Sequence, residues 1–261
     1  MAWIEDRTPL IPPERERPHL PRWVCVLRCE GSGTGTRGHR GRTAESPQLC
    51  DRLRMYLDES YVAAAQVFAD LVSQVPDQMW DSPGLGVWSL RELVGHTSTA
   101  ALSGVLTTLD KPAQTIAIAS PEAYYAIGRT LDPSVYAAAI AAATASASTH
   151  AEALGIDPAF AIRALVKAVA IRLNSADGEQ LVQSAAGGMQ LSAWLATRTF
   201  ELTVHTLDIA AATGIAATST PQALADAASL AVRIAATVGT GETVLRALTG
   251  RGTLPGDFSV L

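Results

Sequence analysis

The stretch Arg198-Thr-Phe-Glu-Leu-Thr-Val-His-Thr-Leu-Asp208 places four charged or titratable side chains at helical spacing among apolar residues. At about 100° per residue, Arg198, Glu201, His205 and Asp208 fall within about 80° of one another on a helix. Glu201 and His205 are four residues apart, so both side chains can reach one point in space. A carboxylate and an imidazole that converge in this way are ligands of the kind that hold a divalent metal ion. The stretch therefore predicts a helix whose polar stripe is a candidate metal site.

The composition of the whole chain predicts helices rather than strands. Of its 261 residues, 48% are hydrophobic but only 5% are aromatic, and alanine supplies much of the apolar content. Alanine-rich sequence with few β-branched runs favours the α-helix. We therefore predict an all-α fold, a four-helix bundle with extra C-terminal helices. The predicted core helices lie at about 51–75, 89–109, 132–153 and 192–213, with further helices at about 158–173, 221–238 and 241–248.

Helix ends are marked by recognisable capping residues. Ser89-Leu-Arg-Glu92 has the pattern of a capping box, in which the serine and the glutamate satisfy each other's backbone N–H groups. Asp132-Pro133 and Asp157-Pro158 each combine an N-cap with a proline at the first helical position. Ser192 is predicted to cap the helix that carries the polar stripe, and Gly214 to end it. The segments between these helices, 113–131 and 174–191, are predicted to be mixed and loop-like, the second with a short extended piece.

Residues 1–50 differ in composition from the rest of the chain. They are rich in proline, arginine and glycine and show no helical period, so we predict a disordered extension. Met55 lies close to the start of the periodic sequence, which raises the alternative of a start codon assigned too early. Gly33-Thr-Gly-Thr-Arg-Gly38 matches a dinucleotide-binding pattern, but no helix-forming sequence follows it, so we reject that interpretation.

The cysteines fall only in this first segment. Cys25, Cys29 and Cys50 are the three cysteines of the chain. Cys25 and Cys29, taken with His19 and His39, fit no standard zinc-site spacing. Residues 51–261 thus offer neither a disulfide nor a thiol for catalysis, and any thiol chemistry there requires a thiol from outside the chain.

Charge and hydropathy exclude several classes of partner. The net charge is −5, and Lys111 and Lys167 are the only lysines. Such a chain is a poor nucleic-acid binder, so a small-molecule substrate fits better. The N-terminus lacks the apolar core of a signal peptide, and no uncharged run is hydrophobic enough to span a bilayer. We expect a cytoplasmic protein that binds neither nucleic acid nor membrane.

A catalytic metal site needs a third protein ligand besides Glu201 and His205. The other histidines after residue 50 are His96 and His150. His150 lies near a helix end, where a cation is favourable for electrostatic reasons alone. His96 lies inside a predicted helix and is the better third ligand. Two histidines and one glutamate leave a fourth coordination position open, as in catalytic zinc sites.

The remaining two polar residues of the stripe are predicted to support the ligands. Asp208 could orient a ligand imidazole, and Arg198 could hold a substrate carboxylate or brace Glu201. We therefore expect Arg198 and Asp208 to contribute to catalysis. The alternative is that the stripe forms ordinary salt bridges on a solvated face and has a structural role only.

Two quoted segments carry a resemblance to a known family. The segment Trp88-Ser-Leu-Arg-Glu-Leu-Val-Gly-His96, and the Arg198–Asp208 stretch followed by Ala-Ala-Thr-Gly214, resemble the two signatures of the mycothiol-dependent maleylpyruvate isomerase family. That family belongs to the wider DinB-like group of four-helix-bundle metalloproteins. The resemblance covers about residues 51–214, the span that we expect to form the metal-binding bundle.

The resemblance implies both a ligand set and a cofactor. His96, Glu201 and His205 match the family's metal ligands, which usually bind zinc. Family enzymes also use mycothiol, a low-molecular-weight thiol, which in the isomerase adds to a cis double bond, allows rotation and leaves. The implied cofactors are therefore Zn²⁺ or another divalent metal, together with mycothiol.

The resemblance does not extend to residues 215–261. The family isomerase carries a larger C-terminal α/β domain, whereas these residues predict a short helical segment and a tail. We therefore expect a metal- and thiol-dependent isomerase or S-transferase, with thiol transfer, conjugation or hydrolysis of a small electrophile favoured over maleylpyruvate isomerisation. A non-catalytic metal-binding DinB-like module is the alternative, and a homodimer is left open.

Overall fold

The computed structural model describes the backbone of residues 46–261 and the side chains of residues 59–261. The glycine and cysteine motifs predicted in the N-terminal extension, and the extension itself up to residue 45, lie outside the described residues. The first helix begins at Ser46, within the segment predicted to be an extension. The fold of the described residues is all-α, as the composition predicts.

The helices are numbered in chain order. Their bounds are α1 Ser46–Val72, α2 Leu90–Ser98, α3 Gly104–Leu109, α4 Pro121–Ala126, α5 Pro133–Ala145, α6 Ala147–Ala153, α7 Pro158–Leu173, α8 Leu191–Thr213, α9 Pro221–Thr237 and α10 Gly241–Leu248.

Two small antiparallel hairpins precede the helices that carry the candidate ligands. Strands β1 (Pro83–Leu85) and β2 (Trp88–Ser89) lead into α2. Strands β3 (Leu181–Ser184) and β4 (Gly187–Gln190) lead into α8. The second hairpin replaces most of the loop predicted at 174–191.

The predicted caps are largely confirmed. The Ser89 N–H donates to a Glu92 carboxylate oxygen at 2.8 Å, and the Ser89 side chain accepts from the Glu92 N–H, which completes the capping box. Asp132 and Asp157 each accept a backbone N–H at 2.8 Å. Gly214 follows α8 in the left-handed conformation, with φ +71, which favours glycine.

The predicted cap at Ser192 is wrong. Helix α8 begins one residue earlier, at Leu191, after an extended Gln190 whose side chain caps nothing. The N–H groups of Leu191 and Ser192 donate instead to the carbonyls of Gln180 and Gly178, at 2.9 and 3.0 Å. The first turn of the helix therefore has backbone acceptors in the preceding loop and needs no side-chain cap.

The core is built by α1, α2, α7 and α8, which corrects one predicted core helix. The range 132–153, predicted as one core helix, contains two helices: no residue of α5 is buried, whereas α6 buries Ala147 and Ala151 and packs on α2. Helix α7 supplies that side of the core instead, through Ile162, Val166, Val169 and Leu173. Alanine side chains bury little apolar area, whereas these four residues form a continuous apolar face.

A π-helical segment interrupts the second predicted helix. The range 89–109 contains α2, a π-helix over Thr99–Ser103, and α3. Carbonyl groups of this segment accept hydrogen bonds from other helices. The Arg198 guanidinium donates to the Ala100 carbonyl at 3.2 Å, and the Tyr61 hydroxyl donates to the Ala101 carbonyl. The segment thus ties α2 to both α8 and α1.

The C-terminal residues add two helices, as predicted. Helix α9 packs on α8 and α4, and Phe200 of α8 forms a small apolar cluster with Ala227, Leu230 and Ile234. Helix α10 then packs on α9. Among the described helices, none is long and apolar enough to cross a lipid bilayer.

Candidate metal centre

Three predicted ligands meet between α2 and α8. One potential ligand atom each from His96, Glu201 and His205 lies within 4.8 Å of the other two. Helices α2 and α8 pack against each other, and this contact brings His96 to the pair on α8. All three side chains are partly buried, with 14% of the His205 side chain and 19% of the Glu201 side chain exposed.

Helix α8 alone organises one half of this group. His205 Nε2 lies 3.3 Å from Glu201 Oε2, one helical turn away. The other ring nitrogen, Nδ1, hydrogen-bonds to Asp208 Oδ2 at 3.0 Å. Asp208 thus fixes the imidazole so that Nε2 faces Glu201, which is the outer contact expected of a ligand histidine. The contribution of Asp208 to catalysis stays a prediction.

Tyr125 on α4 is a member of the group that the sequence did not predict. Its hydroxyl donates to Glu201 Oε1 at 2.9 Å and lies 3.1 Å from the Thr197 carbonyl. Burial and the neighbouring carboxylate raise the pKa of Tyr125, so the hydroxyl keeps its proton. This hydrogen bond holds Oε1 of the carboxylate, while the other oxygen, Oε2, faces His205.

Arg198 lies inside the protein rather than on the solvated face of α8. Only 6% of the residue is exposed, and its guanidinium carbon lies 5.5 Å from the ring centres of both Tyr124 and Trp194. It donates to Thr197 Oγ1 at 3.0 Å and to the Ala100 carbonyl at 3.2 Å. Its role as a brace for Glu201 or a binder of substrate stays a prediction. The positive charge of Arg198, one helical turn before Glu201, helps to lower the pKa of that carboxyl group.

His96 is surrounded by aromatic rings. The Trp88 ring centre lies 4.7 Å away, the His205 ring 5.5 Å away, and the His150 ring 6.1 Å away. His96 Nδ1 is buried and makes no hydrogen bond to any described residue. A buried nitrogen without a partner is costly, so a hydrogen-bond partner at Nδ1 would stabilise this side chain.

The protonation states of the three side chains differ for physical reasons. Burial, followed by the charge of His205, lowers the pKa of His96 to about 4, so this imidazole is neutral near pH 7. Burial opposes ionisation of Glu201, but the hydrogen bond from His205 and the charge of Arg198 outweigh it and lower the pKa to about 2. Burial also opposes charging of His205, but its bonds to Asp208 and Glu201 raise the pKa to about 9.

These residues fit a divalent metal ion. Ligands about 2.1 Å from a tetrahedral ion lie about 3.4 Å apart, close to the 3.3 Å between Glu201 Oε2 and His205 Nε2. Two imidazoles and one carboxylate are a donor set that suits zinc and leaves one coordination position for another molecule. Because His205 is protonated before an ion binds, binding releases that proton.

Comparison with known proteins agrees with this geometry. The sequence profile of the mycothiol maleylpyruvate isomerase N-terminal domain matches residues 61–210. Searches of the curated proteins and of solved structures found no match. The matched span covers more than half of the chain and includes all three candidate ligands together with Tyr125 and Asp208. The chain therefore belongs to the mycothiol maleylpyruvate isomerase family, through that family's N-terminal domain.

Proposed function

We propose that this protein is a divalent-metal-dependent enzyme that uses an external low-molecular-weight thiol to act on a small electrophilic substrate. The observation that carries the proposal is the convergence of His96, Glu201 and His205, whose ligand atoms lie within 4.8 Å of one another. Zinc is the proposed ion because the donor set has two nitrogens and one oxygen.

The chain's own residues have distinct tasks in this proposal. His96 approaches the site as a neutral imidazole, since burial lowers its pKa to about 4. Glu201 supplies the one negative charge among the three ligands, with Oε1 held by Tyr125 and Oε2 facing His205 Nε2 at 3.3 Å. Asp208 keeps the His205 ring in one orientation through its 3.0 Å bond to Nδ1. The ligands are therefore positioned before an ion arrives, which lowers the cost of binding.

A bound divalent ion would supply Lewis-acid chemistry, lowering the pKa of a thiol or water in the fourth coordination position. With one carboxylate and two neutral imidazoles as ligands, the site would keep a net positive charge. Arg198 adds a further positive charge nearby and is nine-tenths buried, with only 6% of the residue exposed. A thiolate or a carboxylate substrate is the class of molecule that such a site attracts.

The source of the thiol is proposed to be a free molecule, with mycothiol the first candidate. Residues 51–261 contain no cysteine, and the matched domain carries mycothiol in its name. Thiol transfer or conjugation is proposed ahead of maleylpyruvate isomerisation. The residues beyond the matched span form α9, α10 and an irregular end.

Metal analysis of the purified protein tests whether the three residues bind a metal ion, which the proposal requires. We expect about one zinc per chain in the wild type, and none in His96→Ala or Glu201→Gln, because each variant removes one of three ligands. Glu242→Gln is a matched control, since Glu242 is an exposed carboxylate on α10. A wild type that stays metal-free in excess zinc overturns the proposal.

Thiol turnover separates an enzyme from a metal-binding module. The zinc-loaded protein is incubated with mycothiol or another small thiol and a panel of electrophiles, and the loss of both free thiol and electrophile is followed. We expect conversion of an electrophile that depends on zinc, on the thiol and on Glu201. If the protein binds zinc stoichiometrically but accelerates the loss of neither, the non-catalytic module is the better assignment.

A further inference from the structure

His150 on α6 is a partly buried titratable residue beside the candidate metal centre, and the proposed chemistry gives it no task. Its ring centre lies 6.1 Å from that of His96. Its Nδ1 is buried and makes no hydrogen bond to any described residue. Two neighbouring imidazoles thus each bury an Nδ1 atom without a protein partner, a costly arrangement unless the two nitrogens are linked in the working protein.

The packing of α6 on α2 holds His150 in this place. Gly95, the residue before His96, faces the backbone of His150 directly. A Cβ atom at position 95 would lie 2.6 Å from the His150 carbonyl carbon and oxygen and 2.7 Å from the Ala151 nitrogen. Any side chain there would force the two helices apart. The close approach therefore places His150 next to His96 by backbone contact, not by the reach of a flexible side chain.

The two ligand histidines differ in what holds their outer nitrogen. His205 has Asp208 on Nδ1 at 3.0 Å, with Nε2 turned to Glu201. His96 has no such carboxylate or carbonyl among the described residues. Ligand histidines in metal sites almost always donate their outer N–H to a carboxylate, a carbonyl or a water molecule, which sets the tautomer and the ring orientation. Trp88 lies closer to His96, but its indole N–H can only donate, whereas an imidazole nitrogen of His150 can accept the outer N–H of His96.

We propose that His150 is the outer partner of His96. In this arrangement His96 carries its proton on Nδ1 and donates it to an imidazole nitrogen of His150, directly or through one bridging water. His96 Nε2 then presents its lone pair to the ion. His150 is a positioning residue and not a ligand, since it lies outside the group of three converging ligand atoms. The inference rests on the proposed metal site and adds to it an outer contact for His96, as Asp208 is for His205.

The test combines zinc affinity with a direct observation of the His96 tautomer. Affinity is measured by competition with a chromophoric chelator for the wild type, His150→Phe, His150→Asn and Thr149→Ala. The phenylalanine keeps the ring volume but has no nitrogen, whereas the asparagine keeps a polar atom near the position of Nδ1. Thr149 is the exposed neighbour on α6 and serves as the matched control.

We expect His150→Phe to weaken zinc binding about 10- to 100-fold, the range for losing an outer partner of a ligand histidine. His150→Asn is expected to restore most of that loss, and Thr149→Ala to bind as the wild type does. Imidazole ¹⁵N NMR of the zinc-loaded wild type should show His96 protonated at Nδ1 and metal-bound through Nε2. In His150→Phe the Nδ1–H signal should move or broaden.

The outcomes separate this inference from the proposed function. A wild type that binds no zinc overturns both. A wild type that binds zinc, loses it in His96→Ala and keeps full affinity in His150→Phe overturns the role of His150 alone. If His150→Phe does not fold, the NMR spectrum of the wild type still decides, because a His96 bound to zinc through Nδ1 contradicts the proposal.

Discussion

The two helices that form the candidate metal centre contribute to it in different ways. Helix α8 brings Glu201, His205 and Asp208 together within one continuous element, and local spacing alone sets their contacts. Helix α2 brings a single residue, His96, whose position depends on how α2 packs against α6 and α8. One half of the site is thus encoded locally and the other half by tertiary structure. Mutations in the two halves should have different consequences.

The largest effect is expected from the local half. His205→Ala removes a ligand and leaves the carboxylates of Glu201 and Asp208 without the cation between them. Zinc affinity should fall by more than about 100-fold, which is the upper end for loss of an outer partner alone. Chelator competition measures the change. Retained binding within about tenfold of the wild type would show that Glu201 and His96 suffice and that the local half does not dominate.

The protonation states of His205 and His96 predict that zinc affinity rises with pH. His205 has a pKa raised to about 9, so below that pH zinc must displace its proton, whereas His96 with a pKa of about 4 is already neutral. Affinity should therefore rise with pH, by about tenfold per pH unit and about 100-fold from about pH 6 to about pH 8. Titration calorimetry in buffers of different ionisation enthalpy counts the protons released. A flat profile would contradict the raised pKa of His205.

Asp208→Asn tests the outer contact of the local half. The amide can still accept the bond from His205 Nδ1, but the charge that raises the pKa of His205 is lost. At about pH 9 zinc should bind the variant about tenfold more weakly than the wild type. Towards about pH 6 this difference should narrow, because His205 in the variant has a lower pKa and holds its competing proton less tightly. Asp110→Asn, which alters an exposed carboxylate paired with Arg172, is the control. Equal loss at all pH values would mean that Asp208 acts only by geometry.

Gly95→Ala tests the tertiary half and is expected to have the smallest effect on zinc. The added Cβ meets backbone atoms of α6 at 2.6 Å, so α2 and α6 must separate. We expect a loss of about 1–3 kcal/mol in the free energy of unfolding, as for overpacking in a core. Zinc affinity should fall less than tenfold, because a small separation of the helices still allows a water molecule to bridge His96 and His150. Gly256→Ala, where a Cβ meets nothing within 4 Å, is the control in urea titrations. Unchanged stability in Gly95→Ala would contradict the close packing.

The same division explains what the sequence predicted well. The helix caps at Ser89, Asp132 and Asp157 depend on residues two or three positions apart, and all three are confirmed. The polar stripe on α8 depends on spacings of three and four residues. Contacts of this range are determined by the chain's immediate neighbours, so a pattern of residue types is enough to infer them.

Features that depend on distant contacts were predicted less well. Tyr125 reaches Glu201 from a short helix in a segment predicted only as mixed, and no periodic pattern marks it. The range 132–153 was predicted as one core helix, but its first part, α5, buries no residue, and only α6 packs into the protein. The cap at Ser192 failed because carbonyls of Gly178 and Gln180, in the loop before the hairpin, already accept from the first turn. None of these contacts lies within the three- or four-residue range of a helical pattern.

The π-helical segment at Thr99–Ser103 has a consequence for insertions and deletions. A π turn accommodates one extra residue relative to a regular α-helix, and it lies between His96 and the rest of that helix. Removing one residue here would close the wide turn and restore regular α-helical winding. The carbonyls of Ala100 and Ala101 would then be drawn into the helix, and Arg198 and Tyr61 would lose their acceptors. Point substitutions at this segment should be tolerated far better than a change in its length.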